Sequence, residues 1–171
     1  AGVEGTLTVQ AGDLEILINE AGARMLDANL RLFGPIRYTP DEEAFAKALQ
    51  TAAGVEPRGM ETAVVPLEGQ ELEGGSTDVG DVSWVVPTLH VSVATAPRGV
   101  PWHAWPVVAA SGMSIGHKGL VLAAQTLAAT MVDLFDDPAA RAAVRAEFER
   151  KTKGYVYRPY VPDGPPPVPK E

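Results

Sequence analysis

The feature that most constrains the fold of this chain is an apolar run over residues 82–96, in which Val, Leu and Trp dominate. A strand that helices cover on both faces has this pattern, whereas a strand with one face in water alternates between apolar and polar side chains. We therefore expect an α/β fold in which residues 82–96 form an internal strand. Neither Val85 nor Leu89 should then lie on an exposed edge.

Local start and stop signals predict four helices. Asn19 offers an N-cap to the first helix, and Thr39 and Glu42 form a capping box at the start of the second. The third helix is the longest, and we expect it to pack on one face of the sheet through an apolar side. That side consists of Leu120, Leu127, Met131 and Leu134. The four predicted spans are residues 20–33, 39–54, 114–135 and 137–153.

Shorter segments with alternating or β-branched residues predict further strands over residues 6–9, 14–18 and 61–67. Strands and helices that follow one another along a chain are typical of an α/β domain. After residue 154 the sequence becomes rich in proline, which favours an extended segment on the surface over a packed element.

Charge and composition exclude several classes of partner. The 171 residues include 22 acidic and 14 basic side chains, a net charge of -8, which argues against nucleic acid as a ligand. Polar residues interrupt the longest apolar region, and the first residues lack the pattern of a signal peptide, so we expect no membrane partner. The chain has no cysteine, which fits a reducing compartment, and we predict a cytoplasmic protein.

A glycine-rich loop over residues 75–80 has the glycine spacing of a phosphate-binding P-loop. A P-loop requires Lys and then Ser or Thr after its last glycine, because the ammonium group must reach the phosphates. Here Asp81 and Val82 follow, and the carboxylates of Asp78 and Asp81 would repel an anion. The loop is therefore not a phosphate site, and its spacing alone favours side chains that bond their own backbone.

Several short motifs follow one another in a defined order along the second half of the chain. They are Gly75-Ser-Thr-Asp-Val-Gly-Asp-Val-Ser-Trp84, Val86-Pro87, His90, His103 and Gly112-Met-Ser114. In this order they resemble the amidohydrolases of the aminobenzoyl-glutamate hydrolase type, in particular the B subunit, which belong to the aminoacylase-like metallopeptidases. The resemblance covers most of the chain, but only the C-terminal portion of that family.

The resemblance implies a domain organisation as well as a fold. Residues 1–30 correspond to the end of a lid or dimerisation domain, residues 31–154 to the C-terminal half of the catalytic domain, and residues 155–171 to a proline-rich tail. The catalytic half is expected to be a partial three-layer α/β/α sheet of the kind found in zinc peptidases.

The resemblance also implies a substrate cleft beside the metals, lined by the start of the glycine-rich loop. In such a cleft, backbone N–H groups can hold a substrate carboxylate or the oxyanion that forms when an amide is attacked. The residues implied for substrate binding are Gly75, Ser76, Thr77 and Asp78, together with His90. For His90 a purely structural role is an equally good interpretation.

His103 lies between two tryptophans and two prolines, which would hold its imidazole in one direction. A lone histidine beside tryptophans is more often a packing residue, but the resemblance implies that His103 is the last metal ligand of the family. One ring nitrogen should then be free for the metal and the other held by an acceptor. For His117, near the predicted start of the long helix, simple exposure to solvent is the better interpretation.

The chain lacks most of what a two-metal amidase requires. The family uses a His-x-Asp motif and a Glu-Glu pair, and none of the three histidines here is followed by x-Asp. Glu42 and Glu43 are adjacent, but they belong to a helix start and are better explained by the helix dipole. One or two ligands cannot hold a catalytic zinc, so we assign no catalytic residue to this chain.

These observations predict a C-terminal fragment or split subunit of a metal-dependent amidohydrolase that cleaves N-acyl amino acids such as aminobenzoyl-glutamate. The chain is expected to be inactive alone, and the complete enzyme to use zinc, or else manganese or cobalt. The expected partners are an N-acyl amino acid or dipeptide, and either a chain carrying the missing half or a second copy. The alternative is a binding or interaction module that has lost catalysis.

Overall fold

The computed structural model of the chain describes residues 2–7, 9, 11–67, 76–161 and 163–165. Helices account for 50% of these residues, and none of them forms a strand. In chain order the helices of the described residues are α1 (Glu20–Phe33), α2 (Pro40–Ala52), α3 (Val79–Ser83), α4 (Trp105–Ser111), α5 (Ser114–Asp136) and α6 (Pro138–Lys151). The expected α/β class, with its partial three-layer α/β/α sheet, is therefore wrong for this structure.

The segments predicted as strands do not form strands, because they have no neighbouring strand to pair with in the described part of the chain. A strand is stable only when its N–H and C=O groups form a ladder with a neighbour. Residues 88–96 make no backbone hydrogen bond to any described residue, and the first residues of the apolar run form α3 instead. Val85, expected in the interior of a sheet, is 55% exposed.

The helix starts predicted from capping residues are confirmed. Asn19 accepts a hydrogen bond of 2.9 Å from the Gly22 N–H at the start of α1. Thr39 and Glu42 form both bonds of the capping box of α2. Asp137 caps α6. These bonds join residues only two or three positions apart, which is why the local sequence predicts them.

The long helix α5 forms where it was expected, but it buries the opposite face. Its buried residues point toward α1, α2, α4 and residues 94–95. These residues are Ile115, Gly116, Gly119, Leu122, Thr126 and Thr130. On the face predicted to pack on a sheet, Leu120, Leu127 and Met131 are exposed, and Phe135 beside them is 78% exposed. Among the described residues, α5 alone has the length and hydropathy to cross a membrane, a property that core helices share.

Small side chains allow α5 to approach its neighbours closely. A Cβ atom at Gly119 would lie 2.6 Å from the carbonyl oxygen of Ala94, so only glycine fits there. Asn29 of α1 donates hydrogen bonds to Thr130 (3.1 Å) and Asp133 (2.7 Å) of α5. The glycine thus sets the approach of α5 to Ala94, while α1 packs on α5 and is joined to it by a buried polar contact.

A side chain of α6 caps the N-terminus of α1. The carboxylate of Glu147 is buried and accepts hydrogen bonds from the N–H groups of Glu20 and Ala21, each 2.9 Å long. Lys151 forms an ion pair with the same carboxylate at 2.8 Å. Burial alone would raise the pKa of Glu147, but the bonds from Lys151, Ala21 and Glu20 outweigh it and lower this pKa to about 2.

Replacing Glu147 by Gln should lower the free energy of unfolding at pH 7 by about 1–3 kcal/mol, because a charged acceptor for two helix N–H groups is lost. The folded pKa of Glu147 lies below its unfolded value near 4.5, so its carboxylate stabilises the fold above that pH. The difference between wild type and variant should shrink as the pH falls toward about 2. Urea unfolding at several pH values measures both effects.

Glu149→Gln is the matched control, since Glu149 lies two positions away on α6 and forms only an exposed pair with Arg145. Its free energy of unfolding should stay within about 0.5 kcal/mol of wild type. The assigned role of Glu147 would be contradicted if both variants lowered the free energy of unfolding equally. It would also be contradicted if the loss for Glu147→Gln did not change with pH.

Candidate functional site

The residues implied to line a substrate cleft lie immediately before α3. Ser76 and Asp78 are exposed, and Asp78 makes no side-chain capping bond to the helix. Thr77 is half-buried and accepts a hydrogen bond of 3.3 Å from the Val79 N–H. Gly75, the first residue of the predicted set, lies outside the described residues. The two exposed side chains are open to a ligand, whereas Thr77 bonds its own loop.

The second half of the same motif holds the N-terminal segment of the chain. The carboxylate of Asp81 accepts from the Leu14 N–H at 3.3 Å, and the Ser83 hydroxyl accepts from the Leu17 N–H at 2.8 Å. The indole of Trp84 donates to the Glu15 carbonyl at 2.9 Å. A Cβ at position 80 would overlap the Leu14 carbonyl, so the close approach requires glycine.

The C-terminal segment is anchored on the same residues. The hydroxyl of Tyr157 donates to Asp81 at 2.8 Å, and this bond to a carboxylate raises the pKa of Tyr157. The rings of Trp84 and Tyr155 lie 4.5 Å apart. Sequence reasoning missed this anchor, and the signal that could have found it was a carboxylate and a hydroxyl beside an apolar run. We call Asp81, Ser83 and Trp84 the anchor.

His103 lies in an exposed turn between Trp102 and Trp105, which are 66% and 54% exposed. Its backbone has φ of 61°, the left-handed region, which residues other than glycine seldom adopt. The ring is exposed, and neither nitrogen bonds a described residue, so the acceptor expected for one of them is not in place. Both nitrogens are free to bind a metal, and ligation by His103 stays a prediction.

The other histidines are also exposed. His90 lines a groove whose walls are residues 61–67 and 90–94, and His117 lies in the first turn of α5. Within the described ranges, no three His, Asp or Glu side chains are grouped so that they hold a metal ion. The structure of this chain therefore does not bring His90, His103 and Asp78 together in one metal-binding group.

Of the adjacent glutamates, Glu42 belongs to the capping box of α2, whereas Glu43 contacts a later segment of the chain. The Glu42 carboxylate bonds Lys118 at 2.6 Å and the Thr39 N–H at 2.7 Å. These bonds, with that of Lys118 first, lower the pKa of Glu42 to about 2. Glu43 accepts from the Met60 N–H at 3.3 Å. Glu42 is charged at neutral pH and already paired, which makes it a poor general base.

The groove beside His90 has a volume of about 430 Å³. Its floor is apolar and is formed by α1, α5 and one residue of the segment that joins α1 to α2. The floor residues include Leu26, Leu30, Ile36 and Leu122. Val91, Val93 and Ala94 continue the apolar surface along one wall. Asp27, Glu61, His90 and Ser92 also line the groove, so an occupant would meet polar as well as apolar side chains.

The chain is 39% identical over 94 residues to the B subunit of p-aminobenzoyl-glutamate hydrolase from Escherichia coli (strain K12). The match takes in 55% of this chain and 20% of the relative, so it spans about a fifth of that protein's length. The resemblance recognised from the motif order is thereby confirmed, and it concerns a C-terminal portion of that hydrolase subunit. No model of a protein family and no solved structure matches the chain.

Replacing Asp81 by Ala should lower the free energy of unfolding by about 1–3 kcal/mol, because the Leu14 N–H and the Tyr157 hydroxyl both lose their acceptor. Asp78→Ala is the matched control, three positions earlier and exposed, and should change it by less than about 0.5 kcal/mol. Urea unfolding followed by tryptophan fluorescence measures both. If Asp78→Ala lowered the free energy of unfolding more than Asp81→Ala, the loop and not the anchor would stabilise this part of the fold.

Proposed function

We propose that this chain is a C-terminal fragment or split subunit of a metal-dependent amidohydrolase. The complete enzyme cleaves the amide bond of N-acyl amino acids such as p-aminobenzoyl-glutamate, and the chain by itself is inactive. The observation that carries the proposal is the 39% identity over 94 residues with a subunit whose name states that hydrolysis. We also place the protein in the cytoplasm, since a chain without cysteine forms no disulfide.

Substrate binding is assigned to the loop before α3 and to the groove rim. Ser76 and Asp78 support this role because their side chains are exposed and bond no described residue. Gly75 and Thr77 complete the loop. His90, at the rim of the groove, either contacts the substrate or supports the wall. The anchor holds this loop to both ends of the described chain, which limits its movement.

His103 is assigned as one ligand of the metal, which is zinc or else manganese or cobalt, since a site of imidazoles and carboxylates accepts all three. Its free ring nitrogens and its left-handed backbone support the assignment, because strained conformations are concentrated at functional sites. When bound, the metal activates water and polarises the amide carbonyl. A catalytic zinc has three protein ligands, so the others and the general base come from the rest of the enzyme.

The purified chain should not hydrolyse p-aminobenzoyl-glutamate with added zinc, manganese or cobalt. A fusion should do so if it places this chain after the part of the Escherichia coli relative that the match does not cover. In that fusion His103→Ala should lower kcat/KM by at least about 100-fold, because a direct ligand matters at least as much as the groups around it. Initial rates of glutamate release measure the effect.

His117→Ala is the matched control in the fusion, since His117 is an exposed histidine on the first turn of α5. Its kcat/KM should equal that of the unmodified fusion. Metal-dependent hydrolysis by the chain alone, lost on His103→Ala, would overturn the fragment interpretation. A fusion that folds and binds substrate without hydrolysing it would favour the alternative of a binding module.

The partner of the chain is proposed to be the rest of the enzyme, with a second copy in its absence. The exposed face of α5 supports this, because soluble proteins seldom leave a continuous apolar stripe open to water.

Light scattering should show that the molar mass of the chain rises with concentration. Met131→Glu should reduce that rise, whereas Gln125→Glu, on an exposed position of the same helix, should not. A monomer at every concentration would contradict association with a second copy.

A further inference from the structure

We infer that Gln50 of α2 is a positioning residue for His103. It holds the backbone that leads into residues 101–105, which we call the His103 turn, and it is itself buried away from any ligand. The inference rests on the proposed function for the role of His103 as a metal ligand. The hold on the turn follows from the hydrogen bonds of Gln50 and from the packing around the turn.

The side-chain amide of Gln50 joins two segments that are distant along the chain. Its nitrogen donates to the carbonyl oxygens of Gly59 at 3.2 Å and of Arg98 at 2.7 Å, and its oxygen accepts from the Gly59 N–H at 2.8 Å. The Arg98 N–H also donates to the Gly59 carbonyl at 3.1 Å. Gln50 is 0% exposed, and an amide that is buried so fully is stable only when it has partners of this kind.

The backbone of Arg98 leads directly into the His103 turn. The Val100 N–H bonds the Pro97 carbonyl at 3.4 Å, and both of these residues are buried. Two residues separate Val100 from His103, and one of them is Pro101, whose ring fixes its own φ angle. The hydrogen bond to Arg98 therefore helps to set the point from which the turn starts.

The far end of the His103 turn is fixed to the same helix by packing. Pro106 in the first turn of α4 is fully buried, and Ala110 of α4 lies in the core cluster with Ala46 and Leu49 of α2. Helix α2 thus holds both ends of the turn, by hydrogen bonds at its start and by apolar packing at its end. Functional groups are held more precisely when a rigid element supports them.

The tip of the turn lacks contacts that would hold the imidazole directly. Trp102 and Trp105 are exposed, and the ring nitrogens of His103 bond no described residue. The left-handed φ of His103 is costly for a residue other than glycine, and such a conformation persists only when the surrounding structure imposes it. The direction of the imidazole therefore depends on the two fixed ends of the turn.

Gln50→Met tests the inference in the fusion, because methionine has a similar length but offers no amide to the two backbone segments. The dissociation constant for zinc, measured by competition with a chelator, should rise at least about 10-fold, as it does when groups that orient a metal ligand are removed. Circular dichroism at the temperature of the titration shows whether each variant is folded. Gln50→Asn, whose amide is one methylene group shorter, serves if Gln50→Met does not fold.

Asn29→Leu is the matched control for a purely structural effect. Asn29 is also a buried amide, but it bonds α5 and makes no hydrogen bond to Gly59 or Arg98. This variant should lower the free energy of unfolding, as Gln50→Met does, and leave the zinc dissociation constant unchanged. An equal loss of zinc affinity in the two variants would make Gln50 a stabilising residue only and would overturn the inference.

A double variant shows whether Gln50 acts through His103. In a fusion that already carries His103→Ala, Gln50→Met should cause no further loss of zinc affinity, because the ligand that it positions is absent. The same loss with and without His103 would mean that Gln50 affects the metal by another route, and that result would overturn the inference.

The hold on the turn can be measured in the chain alone, without metal. Nitrogen-15 relaxation should give order parameters of about 0.85 for the amides of Trp102 and His103, and values below about 0.6 in Gln50→Met. The amides of α1 and α5 should stay rigid in both proteins. Order parameters in the His103 turn that do not change in Gln50→Met would overturn the inference.

The proposed function can fail independently of this inference. If His103→Ala leaves the zinc affinity of the fusion unchanged while Gln50→Met loosens the turn, the metal role of His103 is refuted and the hold of Gln50 on the turn is kept. If His103→Ala lowers the zinc affinity and Gln50→Met does not, the positioning role is refuted and the assignment of His103 is kept. Zinc titration and relaxation together therefore separate the two proposals.

Discussion

The packing of α1 against α5 is the contact on which the other elements depend. It joins the early part of the chain to the late part through Asn29, which bonds Thr130 and Asp133. Because α6 follows α5 directly, the same packing brings Glu147 to the open N–H groups at the start of α1. On other sides of α5, Gly116 and Gly119 lie so close to Ser111 and Ala94 that a Cβ atom would collide with the backbone of those residues.

This packing leaves two apolar surfaces open. The exposed face of α5 lies opposite the residues that contact α1, and the groove lies where α1, α5 and two irregular segments meet. An exposed continuous apolar surface in a soluble protein usually marks an interface. The anchor, by contrast, is satisfied within the chain, since Asp81 bonds Leu14 and Tyr157 and Ser83 bonds Leu17.

The predicted starts of α1, α2 and α6 are present in the structure and the predicted sheet is absent from the described residues, for a physical reason. Asn19 and Thr39 bond N–H groups three positions ahead, so the information for these helix starts lies within a few residues. The apolar run over residues 82–96 predicted a strand, but a strand also requires a partner, and none lies among the described residues. The motif that carried the family resemblance was found correctly, yet its residues divide into an exposed loop and the anchor.

By itself the sequence determined the starts of α1, α2 and α6 and the resemblance to a hydrolase subunit. Only the tertiary structure decided that Asp81 binds Leu14 and Tyr157, which are 67 and 76 positions away, and that α5 buries Thr126 and Thr130 while Leu127 is exposed. Contacts over such separations depend on how the whole chain packs. A helix that is apolar on nearly every side does not specify which side its neighbours will cover.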